Sequence, residues 1–568
     1  MEYSRTIEML DSPGVYGVRP HSSNDPSPPT EHRGLRAAQA CVACRKQKRK
    51  CDKQLPLCSL CSRMGRSCDY SDSTPTPNAD DFAMLRQKVT DLEAKLESRD
   101  TPWGRTNVIG GGRSYISSPD QSLPPEQSSS FPPMFLLDSE IFKETRMIIP
   151  KPAIKLGPEV YNTLGSIIDV RDIVDRYFEN VHLWLPIVSK KRTQLTLEKP
   201  APDIPADLAL LLLAMKLIGQ GGHQNPIEAQ SPLYWMAKHC FSLVESGGLM
   251  TVQFLQSALL ITAYEIGNAI YPAAYLSSGH CTRIGILMGI HDRHHAPQIL
   301  RKSGAWSEVE EIKRCWWAAM LFDRYVHLGS EGHQLATDDP PLQTVLPANE
   351  SSWDEGDMTT SEPLYMSTPT SVRAGAFART CQATHLMGRM IRVLNDRSSD
   401  PATRFAEAIQ LHRTLTALSN VLPYEVSESA AQYSTAMGLC YSSLLHLCEP
   451  FSCTETNRGD HTLEETEMQA ISIPGMQEAA GKVLEFSLVL QKLMDQNLSA
   501  ISPLLADCLY SATATFQWLV HETGSEEYIT GYNSLRSILV EMSKRWVVAG
   551  EYVKILEVRL EYILQSHR

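Results

Sequence analysis

The sequence has no apolar run long enough to cross a lipid bilayer. Its longest apolar run, Leu208–Leu213 continuing to Leu217, is interrupted by Lys216 and is too short for a transmembrane helix. The first residues contain no apolar signal core. We therefore expect a soluble intracellular protein that has no membrane partner.

The sequence also lacks the motifs of the common enzyme classes. It contains no phosphate-binding loop, no nucleophile elbow and no His-Glu-x2-His motif. One histidine-rich stretch, residues 291–295, stands at a predicted helix end before Pro297, and we interpret it as a solvated loop rather than a metal site. These absences predict a chain that is not an enzyme.

Positive charge is in deficit over the whole chain, whose formal net charge is −12, yet one segment reverses this balance. Residues 31–70 contain ten Lys and Arg against three acidic residues, so the segment carries about +7 and the rest of the chain about −19. This asymmetry indicates a basic module that binds a polyanion, attached to an acidic body.

Cysteine is spread just as unevenly. Six of the fourteen cysteines fall within residues 41–68, and the other eight are scattered through apolar helical patterns. The six form two copies of the pattern Cys-x2-Cys-x6-Cys. They are Cys41, Cys44, Cys51, Cys58, Cys61 and Cys68. A Cys-x2-Cys pair places two thiolates on the first turn of a helix, where both reach one tetrahedral metal ion.

Six thiolates satisfy two four-coordinate zinc ions only if two of the sulfurs bridge. The symmetry of the two halves selects the first cysteine of each, Cys41 and Cys58, as the bridges. One ion would take Cys41, Cys44, Cys51 and Cys58, and the other Cys58, Cys61, Cys68 and Cys41. The alternative is a staple of three disulfides, which the absence of a secretory signal and the crowded basic residues disfavour. A RING or ribbon-type site would need eight ligands or a histidine within the pattern.

The segment Cys41–Lys53, together with Pro56, Cys58, Cys61 and Cys68, resembles the fungal binuclear zinc cluster regulators. The resemblance implies two zinc ions per chain and a first helix that reads a CGG-like triplet in the major groove of double-stranded DNA. It places Lys48 against the guanine edges, where O6 and N7 accept hydrogen bonds. We expect the remaining cations of the basic run to hold phosphates, although a solvated face or a nuclear-import signal is the alternative. These are Arg45, Lys46, Arg49, Lys50 and Lys53.

A second pattern lies between residues 80 and 99. Apolar residues recur there at alternating spacings of three and four, which is the pattern of a short coiled coil. They are Phe82, Leu85, Val89, Leu92 and Leu96. Because fewer than three heptads are present, the alternative is a single amphipathic helix packed on the body. In the resembling family such a helix makes a dimer that places two clusters on paired triplets.

The rest of the chain predicts helices and few strands. Residues of about 170–450 resemble the fungal-specific transcription factor domain through several motifs, of which Arg314-Cys315-Trp316-Trp317-x5-Asp323-Arg324 is the strongest. We assign the tryptophans to the core and Asp323 and Arg324 to a buried ion pair. We also predict one continuous helix over Asn533–Leu564 and a loop over 453–475. The resemblance implies control of activity and, in some members, a small-molecule effector.

The predicted fold is mostly α, with a small two-zinc cluster bearing two short helices, a short coiled coil and a large all-α regulatory body. The predicted segments are a disordered N-terminus (1–36), the zinc cluster (37–70), a linker (71–79), the dimer helix (80–99), a disordered linker (100–136) and the regulatory body (137–568).

We expect a nuclear, homodimeric activator of RNA polymerase II genes that contacts the transcription machinery. Its targets would be a metabolic or secondary-metabolite gene cluster. Two alternatives stay open. The chain could be a helical ligand-sensing or enzymatic protein that its zinc module tethers to chromatin, or the cluster could bind protein rather than DNA.

Overall fold

A computed structural model describes residues 37, 39–46, 51–70, 131–198, 204–300, 304–329, 332, 334–356, 363–396, 398–425, 430–452 and 462–566. The chain divides into two compact units, residues 1–122 and 123–568. In the first unit the structure describes the cysteine module, with helices α1 (Val42–Lys46) and α2 (Ser59–Arg63). The predicted dimer helix and the predicted linker 71–79 lie outside the described residues.

The second unit is built from helices throughout its described residues. Its first half contains α3 (Met134–Leu137), α4 (Ser139–Glu144), α5 (Pro158–Leu164), α6 (Ile167–Arg176), α7 (Lys190–Glu198), α8 (Ala206–Ile218), α9 (Pro226–Ala229), α10 (Pro232–Ser246), α11 (Val252–Gly267), α12 (Ala273–Leu287) and α13 (Trp306–Tyr325). A π-helical turn, Tyr177–Val181, follows α6 directly. Among the described residues of this unit, the only β pairing is a single bridge between Val345 and Tyr365. The prediction of a mostly α protein is confirmed.

The second half continues the same architecture. It contains α14 (Glu350–Glu355), α15 (Ala376–Asn395), α16 (Pro401–Glu425), α17 (Ala430–Cys448), α18 (Leu463–Asn497), α19 (Ala506–Thr523), α20 (Glu526–Ser543) and α21 (Val547–Ser566). One apolar cluster runs through the unit, from Leu156 before α5 to Leu556 in α21. No helix among the described residues is both long and apolar enough to span a bilayer.

Local sequence explains where several helices begin. Ser166 and Asp169 form a capping box at the start of α6, in which each side chain accepts a hydrogen bond from the other's backbone N–H. Helix α8 is apolar on all sides and is almost wholly buried, packed against α11 and α10. It forms the centre of the first half of the unit.

Two helix predictions in the second half are wrong. The segment predicted as one helix over Asn533–Leu564 is two helices, because α20 ends at Ser543 and α21 begins at Val547. Between them Arg545 and Trp546 turn into the core, where each is at most 5% exposed. The segment predicted as a loop over 453–475 contains more than the first three turns of α18, which begins at Leu463 and passes through Pro474.

Tertiary packing overrides the proline signal in α18. A proline inside a helix removes one backbone hydrogen bond and is normally a breaker. Here Met468, Ser472 and Met476 form a buried face on both sides of Pro474. The Ser472 hydroxyl also donates a hydrogen bond to the Met468 carbonyl, at 2.7 Å. Burial of this face holds the helix together across the break.

Candidate metal centre and nucleic-acid interface

The two halves of the cysteine module have the same local structure. Helix α1 follows Cys41 and carries Cys44, and α2 follows Cys58 and carries Cys61. In each half the carbonyl of the first cysteine accepts a hydrogen bond from the residue four positions on, at 3.0 Å in α1 and 2.9 Å in α2. The two cysteines of each pair are therefore one turn apart, and all four side chains are buried.

The six sulfurs form two overlapping groups of four. Within each group all the sulfur atoms lie within 4.8 Å of one another. The first group is Cys41, Cys44, Cys51 and Cys58, and the second is Cys41, Cys58, Cys61 and Cys68. Cys41 and Cys58 belong to both groups. The structure therefore brings together the six cysteines of the duplicated pattern, and the two that the groups share are the first cysteines of the two halves.

The sulfur separations fit tetrahedral zinc and do not fit disulfides. The Sγ atoms of Cys41 and Cys58 are 3.8 Å apart, those of Cys44 and Cys58 3.8 Å, and those of Cys41 and Cys61 3.6 Å. A tetrahedral zinc ion with Zn–S bonds of about 2.3 Å places its sulfurs about 3.8 Å apart. A disulfide needs about 2.05 Å. None of the six cysteines forms a disulfide.

The crowding of the sulfurs makes them costly to ionise together. Burial and the neighbouring sulfurs raise the pKa of Cys44 to about 12. A hydrogen bond with Cys58, then burial, raises the pKa of Cys61. Burial also acts on Cys51, but backbone hydrogen bonds from Cys41 and Lys53 outweigh it and lower its pKa to about 7. A set of thiols with such pKa values becomes a set of thiolates only beside compensating cations.

A pair of aspartates connects the two halves, and sequence reasoning missed both. Asp52 follows the third cysteine of the first half, and its carboxylate accepts the Ser59 N–H at the start of α2, at 3.2 Å. Asp69 follows the third cysteine of the second half, and its carbonyl accepts the Val42 N–H at the start of α1, at 2.8 Å. Each half thus caps the helix of the other. The repeated Cys-Asp dipeptide was the available signal.

Tyr70 is a further residue that the spacing did not reveal. Its hydroxyl donates to the Gln54 carbonyl at 3.0 Å and lies 3.9 Å from the Cys51 sulfur. The side chain therefore closes the module at the Cys51 end and links the loop between the halves to the chain end at residue 70. A lone tyrosine just after the last cysteine carries no pattern that predicts this role.

The structure describes only part of the predicted DNA-contacting face. Arg45 lies on α1 and its Nη1 donates to Gln39 Oε1 at 3.5 Å. Lys53 has a left-handed backbone, with φ of 61°. Lys46 ends α1, but its side chain lies outside the description, as do Lys48, Arg49 and Lys50 entirely.

Comparison with known families agrees with this geometry. Residues 39–77 match the model of the fungal Zn(2)-Cys(6) binuclear cluster domain, and residues 174–429 match that of the fungal specific transcription factor domain. Transcription factor BOA15 of Botryotinia fuckeliana is 36% identical to this chain over 180 residues, which cover 98% of that protein and 32% of this chain. This chain is a fungal binuclear zinc cluster transcription factor.

Two longer relatives carry more specific names. The citrinin biosynthesis transcriptional activator mrl3 of Monascus ruber is 24% identical over 58% of this chain and 67% of its own length. The pigment biosynthesis transcriptional activator pigB of Monascus ruber is 26% identical over 59% of each chain. No solved structure matches the chain.

Membership of the family establishes the cofactor and the general activity. The protein binds two zinc ions through the six-cysteine domain, and it is a DNA-binding regulator of transcription. The zinc supplies folding energy rather than reactivity, since the module buries few residues besides four of its cysteines. The two matching family models and the names of the relatives indicate a regulator of transcription.

The strongest motif of the transcription factor body is structural. Asp323 and Arg324 are at most 1% exposed and form the predicted ion pair, with 3.7 Å between Oδ2 and Nη1. Asp323 accepts the backbone N–H groups of Ala336 and Thr337 at 3.1 and 3.0 Å. Trp317 is fully buried. The motif fixes the segment that follows α13 against the core.

The histidine-rich stretch lies in a turn after α12, as the sequence predicts. Asp292 accepts the backbone N–H groups of His294 and His295, both at 3.0 Å. The His295 side chain is 85% exposed. These contacts make Asp292 the cap of a surface turn.

Proposed function

We propose that this protein activates the genes of a biosynthetic cluster from the nucleus, as a homodimer that reads paired CGG-like triplets. The names of the relatives mrl3 and pigB support the activating direction and the class of target. The observation that carries the DNA-binding part is the pair of sulfur groups sharing Cys41 and Cys58, with a run of cations over residues 45–53 between the cysteines. The alternative of a chromatin-tethered enzyme has no support from the family.

The proposal includes a ligand assignment. Cys41, Cys44, Cys51 and Cys58 bind one zinc ion, and Cys58, Cys61, Cys68 and Cys41 bind the other. The separations near 3.8 Å support Cys41 and Cys58 as bridges, because each lies at tetrahedral edge distance from partners in its group. The pair of ions fixes α1 relative to α2 and so sets the direction in which the cations project.

The proposal also divides the cations by role. Lys48 donates to guanine O6 and N7, and this contact selects the triplet. Phosphate contacts set affinity and carry no sequence preference. The residues assigned to phosphate are Arg45, Lys46, Arg49, Lys50 and Lys53. The zinc domain would comprise residues 37–70 and the regulatory body residues 137–568.

Selection of bound oligonucleotides by the zinc-loaded full-length protein tests the proposal. We expect enrichment of two CGG-like triplets at one spacing and orientation. Lys48→Ala should remove the triplet preference, because the free energy of binding to the triplet becomes weaker by about 1–3 kcal/mol. The variant should keep two zinc ions. Arg45→Ala should instead weaken binding to all sequences alike and reduce the salt slope by about one. Unchanged site selection by Lys48→Ala would reject its role.

Transcript measurement in a strain without the gene tests the direction of control. Expression of one contiguous set of biosynthetic genes should fall. A rise in those transcripts would show a repressor, and unchanged transcripts would reject the cluster as target.

A further inference from the structure

A cavity of about 870 Å³ lies in the second unit, where five helices and one connecting segment meet. Its walls come from α15, α17, α18, α19 and α21 and from the residues that follow α13. We call it the body cavity. Cavities of about 300–1,000 Å³ are the size that enclose drug-sized molecules. Every residue that lines it belongs to the second unit.

Most of the cavity surface is apolar. Met390, Ile391 and Leu445 are at most 4% exposed, and Met476 is 6% exposed. Trp518 is partly buried and lines the same space. Thioethers pack well against aromatic rings, and they adapt to irregular shapes. These walls favour an apolar molecule with a ring system over a sugar or a phosphate.

Helix α19 supplies a polar stripe along one wall. Gln517 is 5% exposed, and its amide nitrogen donates to the Leu556 carbonyl at 3.0 Å. Its side-chain oxygen has no hydrogen-bond partner among the described residues. That oxygen is also buried from solvent, so it does not offer an acceptor to the cavity.

The charged groups of the cavity balance one another. His446 Nε2 lies 3.1 Å from Asp507 Oδ2, and Ser511 Oγ lies 3.5 Å from the same nitrogen. At the rim, Arg559 Nη2 lies 3.8 Å from Glu449 Oε1. Since each cation has its own carboxylate, the cavity offers no unbalanced charge to attract an ion. A neutral ligand fits this arrangement.

We propose that the body cavity binds a neutral, largely apolar small molecule that carries an aromatic ring system. The molecule contacts five helices at once, so its binding stabilises one packing of the body. This provides a site for an effector of the activity proposed above, but the binding itself does not depend on that activity.

Titration with N-phenyl-1-naphthylamine tests the site. This neutral fluorescent probe has aromatic rings and one N–H donor, and its emission rises in apolar surroundings. The zinc-loaded full-length protein should bind it saturably, at about one probe per chain. Ala514→Phe fills the cavity from α19 and should weaken binding at least tenfold.

Leu488→Phe is the matched control, because Leu488 lies on α18, is 67% exposed and is absent from the cavity wall. It should bind the probe as the wild type does. If circular dichroism shows that Ala514→Phe does not fold, Ile555→Trp replaces it as the filled variant. Ile555 lies at the rim and is 43% exposed. Equal binding by the wild type and the filled variants would overturn the proposal, as would absence of saturable binding or many probes per chain.

DNA binding measured on the same samples separates the two proposals. Loss of triplet recognition with intact probe binding would defeat the proposed function alone. Loss of saturable probe binding with intact triplet recognition would defeat the cavity proposal alone.

Discussion

At the scale of single residues, the cysteine module depends on two sulfurs that serve both halves. Cys41 and Cys58 belong to both groups of four and are fully buried, whereas Cys51 and Cys68 belong to one group each and are only partly buried. Removing a shared ligand leaves both ions short of a fourth ligand. Removing an unshared ligand affects one ion directly.

This difference gives a graded prediction for zinc content. Cys58→Ala should lose both ions, because neither site retains four sulfurs, whereas Cys51→Ala should lose its own ion first and keep about one. Atomic emission on purified protein, calibrated per chain, measures the difference. Cys240→Ala, a change at a buried cysteine of the body, should retain both ions. Two ions in Cys58→Ala would contradict the bridging assignment.

The residues of the site could be predicted from sequence to different extents. The spacing of six cysteines predicted which sulfurs come together, because ligand geometry imposes a fixed spacing. Asp52, Asp69 and Tyr70 have contacts that depend on how the halves fold back on each other. Such contacts do not produce a regular spacing of residues in the sequence. The role of Lys48 stays a prediction, since it lies outside the described residues.

At the scale of helices, the recurrence of apolar residues at spacings of three and four predicted a mostly α chain, which is confirmed. Helix α15 went unpredicted because it places several polar groups in the core. Arg379, for example, is fully buried and pairs with Glu425 at 2.6 Å. A sequence pattern predicts that a polar residue faces solvent, so it does not reveal a polar residue that is buried.

The break between α20 and α21 has a similar cause. Arg545 is 5% exposed, and its guanidinium donates to the carbonyls of Ile218 and Gln220, both at 2.5 Å, at the end of α8. Its guanidinium also stacks on the Trp546 ring at 3.8 Å. Burial lowers the pKa of Arg545 to about 10, so the group stays charged at neutral pH. A cation at a helix C-terminus complements the free carbonyls and the helix dipole.

We therefore expect Arg545→Ala to destabilise the body by about 2–4 kcal/mol, because one buried and one partly buried carbonyl lose their donor and Trp546 loses its stacking partner. Urea denaturation followed by tryptophan fluorescence measures the change. The control is Arg536→Ala on the adjacent α20, where a 38% exposed arginine pairs with Glu557. Arg536→Ala should lower the free energy of unfolding by at most about 1 kcal/mol. Equal effects for the two variants would show that Arg545 does not hold the break together.

At the scale of the whole molecule, the proposed homodimer links the zinc cluster to paired triplets. The predicted coiled coil of residues 80–99 lies outside the described residues, so its apolar positions rest on sequence spacing alone. Two clusters joined in one dimer bind a paired site with an affinity that exceeds that of one cluster by about 10²–10⁴. Dimerisation would therefore determine which genes are occupied.

Val89→Asp combined with Leu92→Asp should separate the dimer, because each change places a charge in the apolar interface. Affinity for a paired-triplet oligonucleotide should fall about a hundredfold, while affinity for a single triplet should stay unchanged. Light scattering and fluorescence anisotropy measure the two effects. Lys95→Gln, outside the apolar positions, should change neither, and a double variant that still dimerises would support the alternative of a helix packed on the body.

The account depends most on two zinc ions that shape the cysteine module for DNA. The direct measurement is zinc per chain together with DNA affinity, taken on the same full-length sample before chelation, after chelation under reducing conditions, and after zinc is restored. We predict about two zinc ions per chain, loss of triplet binding when they are removed, and recovery when they return. Triplet binding that survives complete removal of zinc, or cysteines recovered as disulfides from the active protein, would contradict the account.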